Sequence, residues 1–326
     1  MYKAYIRGVG HYTPEKVLTN YDLEKMVDTS DEWITTRTGI KERRIAADNE
    51  TSSTMGAEAA KIAVKNAGIT AEDIDLIITN TITPDMPFPN TSALIQTIIG
   101  AKNAGVFDIE AACTGFIYGL AIANQFIKTG EYKNILLISS ETLSRITDWE
   151  DRNTCVLFGD GAGAVVVSRS EDDSEIIGTF LGGDGSYKEL LYMPGGGSLH
   201  PATEESVKNK LHFIKMKGNE TFKVAVTKMA ESAEIILKKE GISADKIKLV
   251  IPHQANMRIM SAVVKRLGLP QEKLYSNIHK YGNTSAATIP IALSEAVQEG
   301  KIQKGDMILF VAFGGGFTWG AAVLKF

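Results

Sequence analysis

Apolar and polar positions follow two periods along this chain, and the switch from one to the other marks helix-and-strand units. Over residues 58–80, small and apolar side chains first recur about every three to four positions, then run almost unbroken from Ile74 to Ile78. The first pattern predicts a helix and the second a strand buried on both faces, as in a parallel sheet. Residues 231–253 repeat the unit without a gap at an offset of 173, with ten of 23 positions identical, among them Gly68/Gly241, Ile74/Ile247 and Ile78/Ile251. Gly68 and Gly241 suit a left-handed helix C-cap.

The repetition continues. Cys113 through Gly130 matches Asn283 through Gly300 at an offset of 170, and both segments read as a helix entered from a turn of small residues. Each half then closes on a Phe-Gly-x-Gly turn and a strand of small residues, Phe158 to Val167 and Phe313 to Leu324. One unit has been copied, and the predicted halves are residues 1–172 and 173–326. Parallel strands rich in β-branched residues need helical cover on both faces, so an α/β fold of paired mixed sheets layered with helices is expected. Residues 184–217, with Gly195-Gly196-Gly197, read as an insertion at the start of the second half, of a length that is often functional or mobile.

Composition narrows the class. The 326 residues are 44% hydrophobic and 23% charged, with 9 prolines and 30 glycines, which excludes disordered and fibrous chains. The longest apolar run, Met307 to Phe313, is far short of the roughly 20 residues that span a bilayer. Met1 to Gly8 reads as a strand rather than a secretory signal, so a cytoplasmic location is expected. Two cysteines build no disulfide framework. A net charge of −4 disfavours nucleic acid but leaves room for a local basic patch that docks one acidic partner.

Four segments carry candidate chemistry. Cys113 follows the apolar strand 105–109 and starts an apolar helix, where unsatisfied N–H groups and the macrodipole favour a nucleophilic thiolate; the alternative is a small core residue. Cys155, within Cys155-Val156-Leu157-Phe158, reads as core. His253 ends the strand after Pro252, where α/β sheets open onto ligand crevices, or is a structural histidine bonded to backbone. Asn283, in Gly282-Asn283-Thr284-Ser285, reads alone as helix-capping chemistry. The duplication, however, equates Asn283 with Cys113 and His253 with Asn80, so a pseudo-twofold fold brings both helix starts and His253 to one centre. Gly314-Gly315-Gly316 either offers N–H donors to an oxyanion or forms a tight turn. Gly159-Asp160-Gly161-Ala162-Gly163 precedes a strand and so lacks the context of a dinucleotide loop; no zinc spacing or phosphate loop is present.

Assembled, these residues resemble the β-ketoacyl-(acyl carrier protein) synthase III family of the thiolase superfamily. The likeness runs from end to end through Asp28-Thr29-Ser30-Asp31-Glu32-Trp33-Ile34, Thr36-Arg37-Thr38-Gly39-Ile40, Ala111-Ala112-Cys113, Asp151-Arg152, Phe158 to Ala164, Pro252-His253-Gln254-Ala255-Asn256, Gly282 to Ala287 and Gly314 to Gly320. It implies a duplicated five-layered α/β/α/β/α sandwich and a Cys113–His253–Asn283 triad. By the same likeness, Cys113 takes a short acyl group, with acetyl the leading candidate, from acyl-CoA. Malonyl-acyl carrier protein then loses CO2, His253 and Asn283 donate hydrogen bonds to the enolate, and the backbone N–H groups of Cys113 and Gly315 hold the tetrahedral oxyanion. The product is 3-ketoacyl-acyl carrier protein.

The resemblance also implies CoA contacts at Trp33, Arg37, Arg152 and Asn256, with the adenine between Trp33 and Arg152. It places carrier-protein docking at Lys223, Arg258, Lys265 and Arg266, the last three expected on one helix face. Phe88 reaches the partner subunit's acyl pocket in a homodimer. No metal or resident cofactor is implied, since acyl-CoA is a substrate. Each of these residues also has a plain reading as a surface anchor or solvated charge. Thr114, where alanine is frequent in the family, and the differently composed 188–215 leave the primer open between acetyl and longer or branched groups. Two competing readings keep the thiol: a related acyltransferase making polyketides or quinolones, and a cysteine-dependent thioesterase or acyl-binding protein.

Overall fold

Strand burial along the chain sorts into two mixed sheets. In the computed structural model, which describes residues 1–326, the first contains β1 (Ala4–Tyr12), β2 (Leu76–Asn80), β3 (Gly105–Ile109), β4 (Asn134–Thr142) and β5 (Asp160–Arg169), in the order β1-β5-β4-β2-β3. The second contains β6 (Glu175–Gly183), β7 (Leu249–Pro252), β8 (Met307–Gly314) and β9 (Thr318–Lys325), in the order β7-β8-β9-β6. Leu76 lies opposite Ile135 and Leu249 opposite Ile308, both parallel, so one offset of 173 relates both strands of each pair. Where β3 pairs with β2 in the first sheet, the second has a single bridge between Val250 and Leu274.

Seven helices matter to the site: α1 (Asp31–Thr38), α2 (Ser52–Asn66), α3 (Thr91–Ile99), α4 (Gly115–Thr129), α5 (Gly218–Lys239), α6 (Met257–Arg266) and α7 (Thr288–Gln298). Every residue of α7 from Thr288 to Ala296 is buried, and α4 is apolar on most of its circumference. A helix without a polar face belongs in an interior. Accordingly, Phe116, Leu120 and Ile127 of α4 and Ile289 and Leu293 of α7 share one core with Leu137, Ile251 and Phe310 of the two sheets. Outside it, α2 packs on the far face of the first sheet through Ala59 and Ala63, and α5 and α6 pack on the far face of the second through Met229, Ile236 and Val263. The result is the α/β/α/β/α sandwich. Both expected C-cap glycines are left-handed, Gly68 at φ 64° and Gly241 at φ 66°.

The segment 184–217 is not a plain loop. It contains a two-stranded hairpin, Leu191–Tyr192 against Lys215–Met216, and a short helix, Glu204–Lys208. Leu191 and Ile214 pack on Leu143 and Phe158, while Tyr192, Met193, Leu199 and Val207 stay exposed. No helix is long and apolar enough to cross a membrane.

Candidate active site

Strand β3 leads into Glu110-Ala111-Ala112, where Ala112 has φ 44°, a left-handed value that non-glycine residues rarely adopt. This sharp bend sets Cys113 in a 3-10 turn, Ala112–Thr114, immediately before α4. Gly314 at the end of β8 lies against it from the other half. A Cβ on Gly314 would stand 2.7 Å from the Cys113 backbone nitrogen, so only glycine permits this approach.

Cys113 is buried, and loss of water pushes its thiol up to about 12, with the neighbouring Ser285 side chain pulling the other way. This differs from the expectation of a thiolate at a helix start. Burial disfavours the charged form, so the resting side chain is a protonated thiol. Cys155 is fully buried in a small core with Ile34, Val156 and Met260, as read from its sequence context.

His253 continues the β7–β8 pairing, its N–H donating to Val311 O at 2.8 Å. Burial holds its imidazole down to about 3, so the ring is neutral. Its Nδ1 is 2.7 Å from Oγ1 of Thr288, the first residue of α7, and that hydroxyl is 2.9 Å from Ser285 O. The hydroxyl has one proton. Aimed at Ser285 O, it makes Nδ1 the donor nitrogen; turned onto Nδ1, it puts the ring proton on Nε2.

Asn283 is clamped between Leu157 O, which accepts from its N–H at 2.9 Å, and the Gly159 N–H, which donates to its carbonyl at 3.1 Å. The Phe158-Gly159 turn therefore holds Asn283. Asn277 and Tyr281, just upstream, both donate to the Glu295 carboxylate of α7, at 2.8 and 2.7 Å. Asn283 Oδ1 accepts from Ser285 N–H at 2.8 Å, which leaves its Nδ2 as the free donor.

Ser285, with φ 51°, thus meets all three residues. Its N–H binds Asn283, its carbonyl shares the Thr288 hydroxyl with His253, and its Oγ lies beside the Cys113 thiol. Sequence reasoning did not single out Ser285 or Thr288; the only signal was the polar run ahead of α7, which reads as capping. A cavity of about 620 Å³ ends on Cys113 and Ser285. Ile82, Leu143, Ile146, Phe158 and Ile214 make it apolar, and Gly315 borders it next to Ala112. His253 and Asn283 are buried and are not among the residues that line it.

The remaining candidates sit further out. The Trp33 ring lies between two guanidinium groups, Arg37 at 4.9 Å and Arg152 at 4.8 Å, and Arg152 also pairs with Asp28 at 3.4 Å. Asn256 is largely spent on structure: its Oδ1 caps α6 by accepting from Arg258 N–H at 2.8 Å, and its Nδ2 donates to Arg37 O at 3.0 Å. Arg258 stacks on Phe222 at 5.3 Å, which brings it next to exposed Lys223 of α5. Arg258 and Lys265 are two turns apart on one line of α6, but Arg266 is turned about 80° away and pairs with Glu234 of α5 at 3.2 Å. Phe88 is 84% exposed and directly follows Met86 and Pro87, which line the cavity. No cluster of His, Cys, Asp or Glu is placed to hold a metal ion.

Comparison with known proteins matches two family models, 3-oxoacyl-[acyl-carrier-protein (ACP)] synthase III over residues 107–185 and its C-terminal counterpart over 237–326. The beta-ketoacyl-[acyl-carrier-protein] synthase III of Caldanaerobacter subterraneus subsp. tengcongensis is 56% identical over 322 residues, 99% of this chain and 97% of that one. The crystal structure of the Aquifex aeolicus 3-oxoacyl-[acyl-carrier-protein] synthase III is 54% identical, covers 99% of this chain and 100% of its own, and superposes with a TM-score of 0.93. The priming beta-ketosynthase of the R1128 polyketide pathway is 33% identical, covers 99% of this chain and 96% of its own, and superposes with a TM-score of 0.92.

Proposed function

The chain belongs to the β-ketoacyl-[acyl-carrier-protein] synthase III family, the initiating condensing enzymes of fatty acid synthesis, and from that premise we propose that Cys113, His253 and Asn283 carry its two half-reactions. The observation that supports this most is their convergence on the single residue Ser285 beside an apolar cavity.

In the first half-reaction Cys113 attacks the thioester of acetyl-CoA or another short acyl-CoA, CoA leaves, and the acyl chain occupies the apolar cavity. In the second, malonyl-acyl carrier protein loses CO2 and negative charge moves onto its thioester oxygen. Asn283 Nδ2 and the Nε2–H tautomer of His253 donate to that oxygen where charge develops. The enolate carbon attacks the acyl group on Cys113, and the N–H groups of Cys113 and Gly315 hold the resulting oxyanion. The product is 3-ketoacyl-acyl carrier protein, and neither step calls for a resident cofactor or metal.

The same reading gives the Thr288 hydroxyl the choice of His253 tautomer. Thr288→Val leaves Nδ1 of a buried ring unpartnered, a loss of about 1–3 kcal/mol. Decarboxylation of malonyl-acyl carrier protein is expected to fall roughly 10- to 100-fold on that basis, with acyl labelling of Cys113 much less affected. Comparing the two half-reactions in this variant checks it.

CoA docks through Trp33, Arg37 and Arg152, with Asn256 shaping the entrance by tying α6 to the end of α1. Arg152 must move off the Trp33 ring for an adenine to enter between them. Trp33→Ala is expected to raise KM for acyl-CoA roughly 5- to 150-fold, the range of base–aromatic stacking, with little change in kcat. A steady-state titration of acyl-CoA reads it. The acidic carrier protein docks on Lys223, Arg258 and Lys265, with Arg266 at the margin because Glu234 already neutralises it. Phe88 enters the cavity of the partner subunit in a homodimer, and the enzyme works in the cytoplasm.

Incubation with labelled acetyl-CoA and malonyl-acyl carrier protein tests the whole reading. Acetoacetyl-acyl carrier protein and CO2 are the expected products. Free acetate would make the protein a thioesterase, and bound label without product would make it an acyl-binding protein.

A further inference from the structure

One buried acid beside the site has no part in the chemistry above. Glu141, on β4, is fully buried and has no cationic partner. Its Oε2 accepts three hydrogen bonds, from Thr81 Oγ1 at 3.2 Å, Ile82 N–H at 3.1 Å and Thr83 Oγ1 at 2.7 Å. Its Oε1 accepts none, and Ser285 Oγ is equally without a formed hydrogen bond. Two buried polar atoms left open in one place are costly, and such exceptions ask for a reason. Ser285 lies against both the Glu141 carboxyl and the Cys113 thiol, easing ionisation of each.

We propose that Glu141, acting through Ser285 Oγ, accepts the proton that Cys113 releases when acyl-CoA acylates it. The inference rests on the reading of Cys113 as the acylated residue. The thiol proton passes to Ser285 Oγ as the serine's own proton passes to Glu141 Oε1. The sulfur forms a bond to the acyl carbon, the bond from that carbon to CoA sulfur breaks, and the electron pair leaves on CoA. The proton then returns from Oε1 through Ser285 to the CoA thiolate, and the carboxylate is regenerated. Every proton is accounted for, and no other reactant is required.

The basicity of the neighbours agrees. The resting thiol is protonated, so acylation has to discharge a proton. His253 is a poor acceptor, held down to about 3 by burial. Glu141 is raised to about 7 by the same cause, with its Thr and backbone donors limiting the rise. Other charges on surrounding elements do not compete: Asp160, on the adjacent strand, is engaged by Ala46 and Ser144, and Glu110, at the cavity rim, accepts from Ala112 N–H.

Rapid-quench acylation with labelled acetyl-CoA across pH is the test. The base form is the carboxylate, so acylation of the unmodified protein is expected to rise with pH through about 7 and then level. Glu141→Gln should be roughly 100-fold slower, the low end for a lost general base, and should show no such inflection. Transfer from pre-acylated protein to malonyl-acyl carrier protein should stay within about 2-fold, since that step does not use the relay. Ser285→Gly, which suits the left-handed backbone, should match Glu141→Gln, and the double variant should be no slower than either. Glu141→Asp keeps the carboxyl and should retain the inflection at reduced rate, which also covers the case in which the glutamine variant fails to fold. The relay is overturned by an inflection that survives in Glu141→Gln, by equal losses in both half-reactions, by additive effects in the double variant, or by a flat profile in Glu141→Asp. Failure of the unmodified protein to acylate at all would instead overturn the reading of Cys113.

Discussion

Cys113→Ser forms no detectable acyl-enzyme from labelled acetyl-CoA and loses condensation by more than about 10³-fold, on the scale of removing the nucleophile of a covalent mechanism. A hydroxyl is far less ionised than a thiol, and burial has already pushed the thiol itself up to about 12. The site therefore has no reserve of ionisation from which serine could attack. The substitution is expected to leave the fold intact, because it exchanges one atom and keeps the Cys113 backbone and Cβ against which Gly314 packs. Thermal melting unchanged within a few degrees alongside absent labelling is the expected pair of results. Label persisting on another residue would move the nucleophile elsewhere.

Asn283→Ala carries the second large effect, on the other half-reaction. Its Nδ2 is the unspent donor, and a donor aimed at developing negative charge contributes about 10²–10³-fold to the step in which that charge appears. Decarboxylation of malonyl-acyl carrier protein should fall by that factor, while acylation of Cys113 changes by less than about 10-fold. Alanine also orphans Ser285 N–H, which now donates to Asn283 Oδ1. Asn283→Asp keeps that acceptor but puts a carboxylate oxygen in place of the Nδ2 donor, and its charge opposes the developing enolate, so decarboxylation should fall at least as far as in Asn283→Ala. Equal losses in the two half-reactions would contradict the division of labour.

Much of this arrangement was legible in the sequence because duplication is itself geometric information. The offset of 173 that aligns residues 58–80 with 231–253 also relates the registers Leu76–Ile135 and Leu249–Ile308. It was reasonable to expect both helix starts near His253, and Ser285 is the residue at which they meet. What stayed hidden depends on depth and on long-range packing. A helix start locally favours a Cys113 thiolate, but burial, which the linear chain does not display, pushes the thiol up. Glu141 lies in Ser139-Ser140-Glu141-Thr142, polar residues at the end of a strand buried along its whole length. A linear pattern cannot say that this carboxyl faces Thr81 and Thr83 or leaves one oxygen open. Asn256 and Arg266 show the converse. Both stand at motif positions, yet a helix cap occupies most of one side chain and Glu234 pairs with the other.

Mass spectrometry of the intact protein through one full turnover probes the gathering of thiol, imidazole and carboxamide at one centre most directly. After acetyl-CoA alone, one acetyl group should be found, confined to the peptide containing Cys113. Adding malonyl-acyl carrier protein should discharge it completely, with one CO2 released and one acetoacetyl-acyl carrier protein formed for each acetyl lost. An acetyl group on any other peptide, or one that stays on Cys113 while the malonyl thioester is consumed, would contradict it.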